Sequence, residues 1–133
     1  MQIALIIVVS LHVLAGVFWA GSTFAIARAS DASLAVRLFR PQMGAAAGAI
    51  VTGALLWHFM HGAAFGVTER MLVVGVVAAL AAGGVQGVSG SRMRRQLARG
   101  ADPGAPPVSM AGPRLAAALL AITVVCMAAA RFA

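Results

Sequence analysis

The residues of this chain best equipped for chemistry are its three histidines, His12, His58 and His61, and all three lie in apolar stretches. An imidazole in hydrocarbon is costly unless it is paired, hydrogen-bonded or bound to a metal, so each marks a candidate site. In the run Leu11-His12-Val13-Leu14-Ala15-Gly16-Val17-Phe18-Trp19-Ala20-Gly21, helical spacing puts His12, Gly16, Trp19 and Thr23 on one stripe, at i, i+4, i+7 and i+11. An imidazole, a small residue and a large ring on one face resemble the wall of a pocket. The competing reading is a buried histidine bonded to a backbone carbonyl, with Trp19 as plain packing. His58 and His61, three residues apart, share a face of the second apolar stretch beside Trp57.

Depth links the two stretches. At a rise of about 1.5 Å per residue, His12 lies roughly 14 Å below Ile3, His58 roughly 10 Å below Phe65 and His61 about 6 Å below it. His12 and His58 at similar depth suit the two axial positions of one haem b. His61 then bonds a propionate, replaces His58 as ligand, or meets water and headgroups at the interface. The rival is a zinc or copper site built from all three imidazoles. Gln86, a further polar residue in an apolar run, reads as a helix–helix hydrogen bond, and the single cysteine, Cys126, as a packing residue. No carboxylate falls within a spanning stretch, and phosphate loops, CxxC pairs and dinucleotide fingerprints are absent from the sequence.

The elements that must position these residues are long helices. Of 133 residues, 62% are hydrophobic, with a mean hydropathy of +0.97, too apolar for an ordinary soluble domain. Four segments carry no charge: Gln2 to Ala27, Pro41 to Thr68, Met71 to Ser91 and Leu115 to Ala130. A span needs about 20 apolar residues; the fourth segment is short, and Arg114 and Arg131 snorkel at its ends. The predicted architecture is an all-α integral membrane four-helix bundle in a single domain, with helices over 2–28, 41–66, 70–98 and 113–132. Ser30-Asp31-Ala32-Ser33 reads as a helix start. Leu34 and Leu38 at i, i+4, with Arg37 and Arg40, predict a separate short amphipathic helix over 31–40 lying at the interface. Pro41 would open the second span.

The net charge of +7 comes from ten arginines with no lysine. Arg28, Arg37, Arg40, Arg92, Arg94, Arg95, Arg99 and Arg114 flank the first and third connections, whereas Arg70, beside Glu69, is alone in the second. This asymmetry predicts a cytoplasmic basic end with both termini on the outer side, in a bacterial inner membrane, and no nucleic-acid binding. Glycine pairs Gly44/Gly48 and Gly83/Gly87, and the face Gly75, Ala79, Ala82, Gln86, Gly90, predict close helix packing.

The helix-one stretch from Leu11 to Gly21 resembles the LHxxAxxxWxG-like signature of HemJ-type protoporphyrinogen oxidases and the related copper-resistance-D-like membrane proteins. Arg37-Leu38-Phe39-Arg40, Arg70-Met71-Leu72, Arg92-Met93-Arg94-Arg95-Gln96-Leu97 and Gly112-Pro113-Arg114-Leu115 continue the likeness over most of the chain. The resemblance implies a four-helix membrane protein that binds haem b, with His12 at the position of the family histidine, and a porphyrin as the substrate. The family's functional lysine at the start of helix three corresponds here to Arg70. An arginine stays protonated and cannot exchange proton roles as lysine does, so the resemblance carries the fold and the haem pocket further than the oxidase reaction. His58 and His61 are not part of the family pattern.

The expected function is therefore a haem b-binding membrane protein in electron transfer or oxidation of a hydrophobic reductant. His12 and His58 would be its metal ligands, with His61, Trp19 and Gly16 beside the cofactor. The alternatives are a non-enzymatic accessory subunit of a respiratory or photosynthetic complex, and copper handling. The expected surroundings are the lipid bilayer and either other membrane subunits or further copies of the chain.

Overall fold

Long runs of Ala, Leu, Val and Ile leave few polar side chains to compete for backbone hydrogen bonds, so the helix is the conformation that satisfies every N–H and C=O within the segment. The computed structural model describes residues 2–60, 66–100 and 108–133. Four helices follow in order: α1 (Gln2–Ala29), α2 (Ala32–Met60), α3 (Val67–Ala98) and α4 (Ala111–Ala129). Each is long and apolar enough to cross a membrane.

Cross-helix contacts set the topology. Gly48 meets Ala15 and Gly53 meets His12, while Gly75 meets Cys126 and Gly112 meets Ser89. Rising numbers on one helix pair with falling numbers on the next, so α1/α2 and α3/α4 are antiparallel. The helices form an up-down-up-down bundle in which α1 also packs on α4 and α2 on α3. The start of α1 and the end of α4 lie at one end of the bundle, and Arg28, Arg37, Arg40, Arg92, Arg94, Arg95, Arg99 and Arg114 lie toward the other.

The core is built from small residues. Ala46, Ala49, Ala79 and Ala82 close around Trp19 and Leu120. The predicted α3 face is present: Gly75, Ala79, Ala82 and Gln86 are buried, and Gly90 lies against the Phe39 ring. Of the two glycine pairs, only Gly48 and Gly83 have a neighbour, Ala15 and Trp19 respectively, whereas Gly44 and Gly87 look onto open space.

Gly112 is the tightest of the α3/α4 contacts. A Cβ placed there would lie 2.4 Å from Cβ of Ser89 and 2.7 Å from its Oγ. These atoms sit at the root of a side chain whose hydroxyl is already bonded to the Val85 carbonyl, so they cannot swing away. Gly112→Ala is expected to destabilise the bundle by about 1–3 kcal/mol, the usual cost of overpacking, and Ser89→Gly in the same chain to restore most of the loss. Detergent unfolding followed by circular dichroism measures both.

The segment 31–40 departs from expectation. It is not a separate interfacial helix: α2 runs unbroken from Ala32 to Met60 with Pro41 inside it. The proline removes one backbone donor, but packing holds the preceding turns in line. Ala35 joins Ile26 and Met93 in a second buried cluster, and Phe39 lies on Gly90 beneath the Arg94 guanidinium, 5.3 Å from the ring centroid. These contacts draw the segment along the bundle instead of across its end. The other boundaries shift by a few residues: α1 reaches Ala29, α3 starts at Val67 and α4 spans Ala111–Ala129. The predicted end of helix two, 61–66, falls largely outside the described residues.

The α1–α2 link is a two-residue turn. Ser30 adopts a left-handed φ of 53°, and its N–H still donates to the Ile26 carbonyl at 3.0 Å. Asp31 caps α2: its Oδ1 accepts from the Ser33 N–H and hydroxyl, each at 2.8 Å, and from the Leu34 N–H at 3.3 Å. The Ser33 hydroxyl, then the Leu34 and Ser33 amides, hold the Asp31 carboxyl below the usual carboxylate range, with Arg37 adding to the effect. A depressed native pKa stabilises the fold above the unfolded-state pKa and is lost as pH falls through the native value. Stability should therefore drop as the solution is acidified through and below the ordinary aspartate range, and Asp31→Asn should flatten that part of a pH–stability profile.

Candidate functional site

His12 stands on α1, half-buried against α2. Its Nδ1 lies 2.9 Å from the Ala49 carbonyl oxygen and 3.1 Å from Thr52 Oγ1. A carbonyl only accepts, so Nδ1 carries the proton and donates. The Thr52 hydroxyl donates to the Gly48 carbonyl at 2.6 Å, which turns an oxygen lone pair toward the imidazole. Nε2 is then the ring's basic nitrogen. Gly53 makes room for the ring: a Cβ there would come within 3.1 Å of His12 Cε1. One turn along α1, Gly16 borders open space.

The carbonyl-bonded histidine weighed from the sequence is thus what the structure contains. That geometry is also how proteins orient a metal-ligating histidine: one ring nitrogen donates to a carbonyl or carboxylate, and the other is left for the metal.

Trp19 does not line a pocket beside His12. It is buried in the core, where its ring meets Gly83 of α3 and its Nε1–H donates to Gln86 Oε1. Thr23, from the same stripe, joins the same network. Gln86 Nε2 donates to Thr23 Oγ1 at 2.6 Å, and Gln42 Nε2 donates to Thr23 Oγ1 at 3.2 Å and to Ser22 Oγ at 3.0 Å. The Thr23 hydroxyl donates to the Trp19 carbonyl at 2.7 Å. The stripe therefore divides: His12 belongs to the α1/α2 seam, Gly16 borders open space, and Trp19 and Thr23 belong to a polar layer tying α1, α2 and α3. The helix–helix role expected of Gln86 is observed.

His58 is exposed, with its ring edge-on to Phe59 at 5.6 Å. It lies nine residues from Ala49, about two and a half turns, hence on the opposite side of α2 from the carbonyl that holds His12. It also lies about 8 Å farther along the axis than Gly53. Depth counted from Ile3 and Phe65 put His12 level with His58; the contacts put it level with Ala49 to Gly53. The structure does not bring these two imidazoles together. His61 lies outside the described residues. Among the described residues no three potential ligands of the His, Cys, Asp or Glu type are grouped. Cys126 packs where expected, its Cβ against Gly75 of α3.

The site residues that sequence reasoning missed are Thr52, Gly53 and Gln42. Each was visible as a polar or small residue within an apolar run. Their pairing with α1 depended on how α2 is rotated, which a single-helix pattern does not carry.

The described residues define an all-helical, four-helix protein whose helices are each long and apolar enough to cross a membrane, with two polar features between them, the His12 seam and the Gln42–Thr23–Gln86–Trp19 layer. Searches of protein-family models, of curated proteins and of solved structures find no match to the chain.

Proposed function

We propose that this is an integral membrane haem b protein with a redox role, in which His12 Nε2 is an axial ligand. The observation that carries the reading is the His12 geometry. Nδ1 is fixed on Ala49 and Thr52, Nε2 is left as the ligating nitrogen, and the adjoining Gly16 position is open. These features fit an axial histidine. Haem, when bound, would supply one-electron chemistry whose potential depends on its ligands and the low dielectric around it. What this chain's residues do is orient the imidazole and fix its tautomer. The second axial position is not assigned to His58 of the same chain, because that residue faces the other way. The HemJ-like resemblance supports the reading through His12 alone.

The arginine asymmetry supports an orientation in a bacterial inner membrane with the basic end cytoplasmic and both termini outside. A second reading is a cofactor-free accessory subunit of a larger membrane complex. It is favoured by the large apolar side chains exposed along α1, among them Ile3, Ile6, Leu14, Val17 and Phe24.

The test is a visible spectrum of the detergent-purified chain, oxidised and dithionite-reduced, with a pyridine haemochrome assay. A b-type spectrum near one haem per chain upholds the proposal. A colourless protein that co-purifies in fixed ratio with a membrane enzyme replaces it with the subunit reading.

A further inference from the structure

The polar layer of the bundle is incomplete in a way that specifies a ligand. Trp19, Thr23, Gln42 and Gln86 are 3%, 1%, 4% and 7% exposed, so their polar atoms depend on one another. Thr23 Oγ1 fixes the orientation of both amides. Its own proton goes to the Trp19 carbonyl, so it only accepts from side chains, and both glutamines must turn their nitrogen toward it. The indole N–H demands an oxygen from Gln86, which agrees.

With the amides so fixed, the inventory can be completed. Gln42 Nε2 uses both protons, on Ser22 and Thr23, and Gln86 Nε2 uses one, on Thr23. Two groups have no partner among the described residues: the Gln42 Oε1 acceptor and the second N–H of Gln86. Leaving such groups dry is unfavourable, because each loses its hydrogen bond to water and gains none in the protein. Both glutamines line a cavity of about 20 Å³, shared with Thr23, Ser89, Ala35 and Met93. A single water needs roughly 10–15 Å³ or more on that measure, together with two to four polar partners.

We infer that this cavity is a specific binding site for one water molecule, which accepts from Gln86 Nε2–H and donates to Gln42 Oε1. The space suits a single water, and the donor–acceptor pair selects a molecule able to do both. The site links α2 to α3 next to the hydroxyl of α1, completing a three-helix connection. It is independent of the haem proposal, since it lies on the other side of Trp19 from His12.

The experiment uses the full chain in detergent micelles with 15N-labelled glutamine side chains. Rotating-frame Overhauser transfer from water to the Gln86 and Gln42 side-chain amides is expected in the wild-type protein. Ala35→Val, which adds methyl groups to the cavity wall, is expected to abolish the transfer and lower the unfolding midpoint. Absence of transfer to either amide in the wild-type chain overturns the site. So does an Ala35→Val variant with a raised midpoint, because filling a dry apolar cavity stabilises. If Ala35→Val fails to fold, the wild-type transfer alone decides.

Discussion

Under the haem b proposal, His12→Ala should lose the cofactor: the ratio of Soret absorbance to protein is expected to fall about tenfold or more, equivalent to at least 1.4 kcal/mol of lost affinity. The imidazole is the only described histidine side chain held by a hydrogen bond at one ring nitrogen with the other left over, so the substitution removes the proposed axial ligand. Two companion measurements separate ligation from folding. Far-ultraviolet circular dichroism should be unchanged, because Ala49 and Thr52 keep their helical hydrogen bonds within α2. Added imidazole should restore part of the Soret band by entering the space the side chain left. His58→Ala should keep the wild-type haem content, because His58 is exposed on the far side of α2. A His12→Ala protein with full haem content would remove His12 from the proposal.

Gln86→Leu carries the second large effect. Leucine is close in size and more at ease in an apolar core, so a packing argument alone predicts a neutral or favourable change. The hydrogen-bond argument predicts the opposite. The variant leaves the Trp19 indole N–H without an acceptor and removes a donor from Thr23, in a layer where Trp19 and Thr23 are fully sequestered. An orphaned buried donor costs about 1–3 kcal/mol. The coupling energy of a side-chain hydrogen bond between membrane helices averages only about 0.6 kcal/mol by double-mutant cycles. The two figures make the test discriminating. Gln86→Leu should destabilise by about 1–3 kcal/mol, whereas Gln86→Leu with Trp19→Phe, which removes the orphan donor, should recover part of the loss despite a second core substitution. Reversible unfolding in mixed micelles, with Trp19 emission as a second signal, reads both. A single variant within about 0.5 kcal/mol of wild type would show that the layer is not a stabilising connection.

The four long helices were legible in the sequence, though not that residues 32–40 belong to the second of them, because hydropathy and charge are properties of segments, and a charge-free run of membrane length has one way to satisfy its backbone. Gln86 as a helix–helix hydrogen bond and the buried small-residue face of α3 were legible for a related reason: polarity and size at each position are local. The spacing from His12 to Thr23 was legible as one face of a helix, but that face divides between two sets of partners. Those partners were not legible, since periodicity fixes which residues share a face of one helix and says nothing of which neighbour that face meets.

That second question was decided by tertiary packing. The contacts of Gly48 and Gly53 set α2 so that Ala49 and Thr52 meet His12 while His58 turns outward. Gly83 admits the Trp19 ring across the bundle to Gln86. Phe39 and Ala35 hold α2 straight through Pro41, where local sequence alone reads as a break. Segment composition dictates the helices and the polar atoms they carry. Packing sets which of those atoms meet, because the rotation of each helix depends on small residues on its neighbours that no pattern within one helix records.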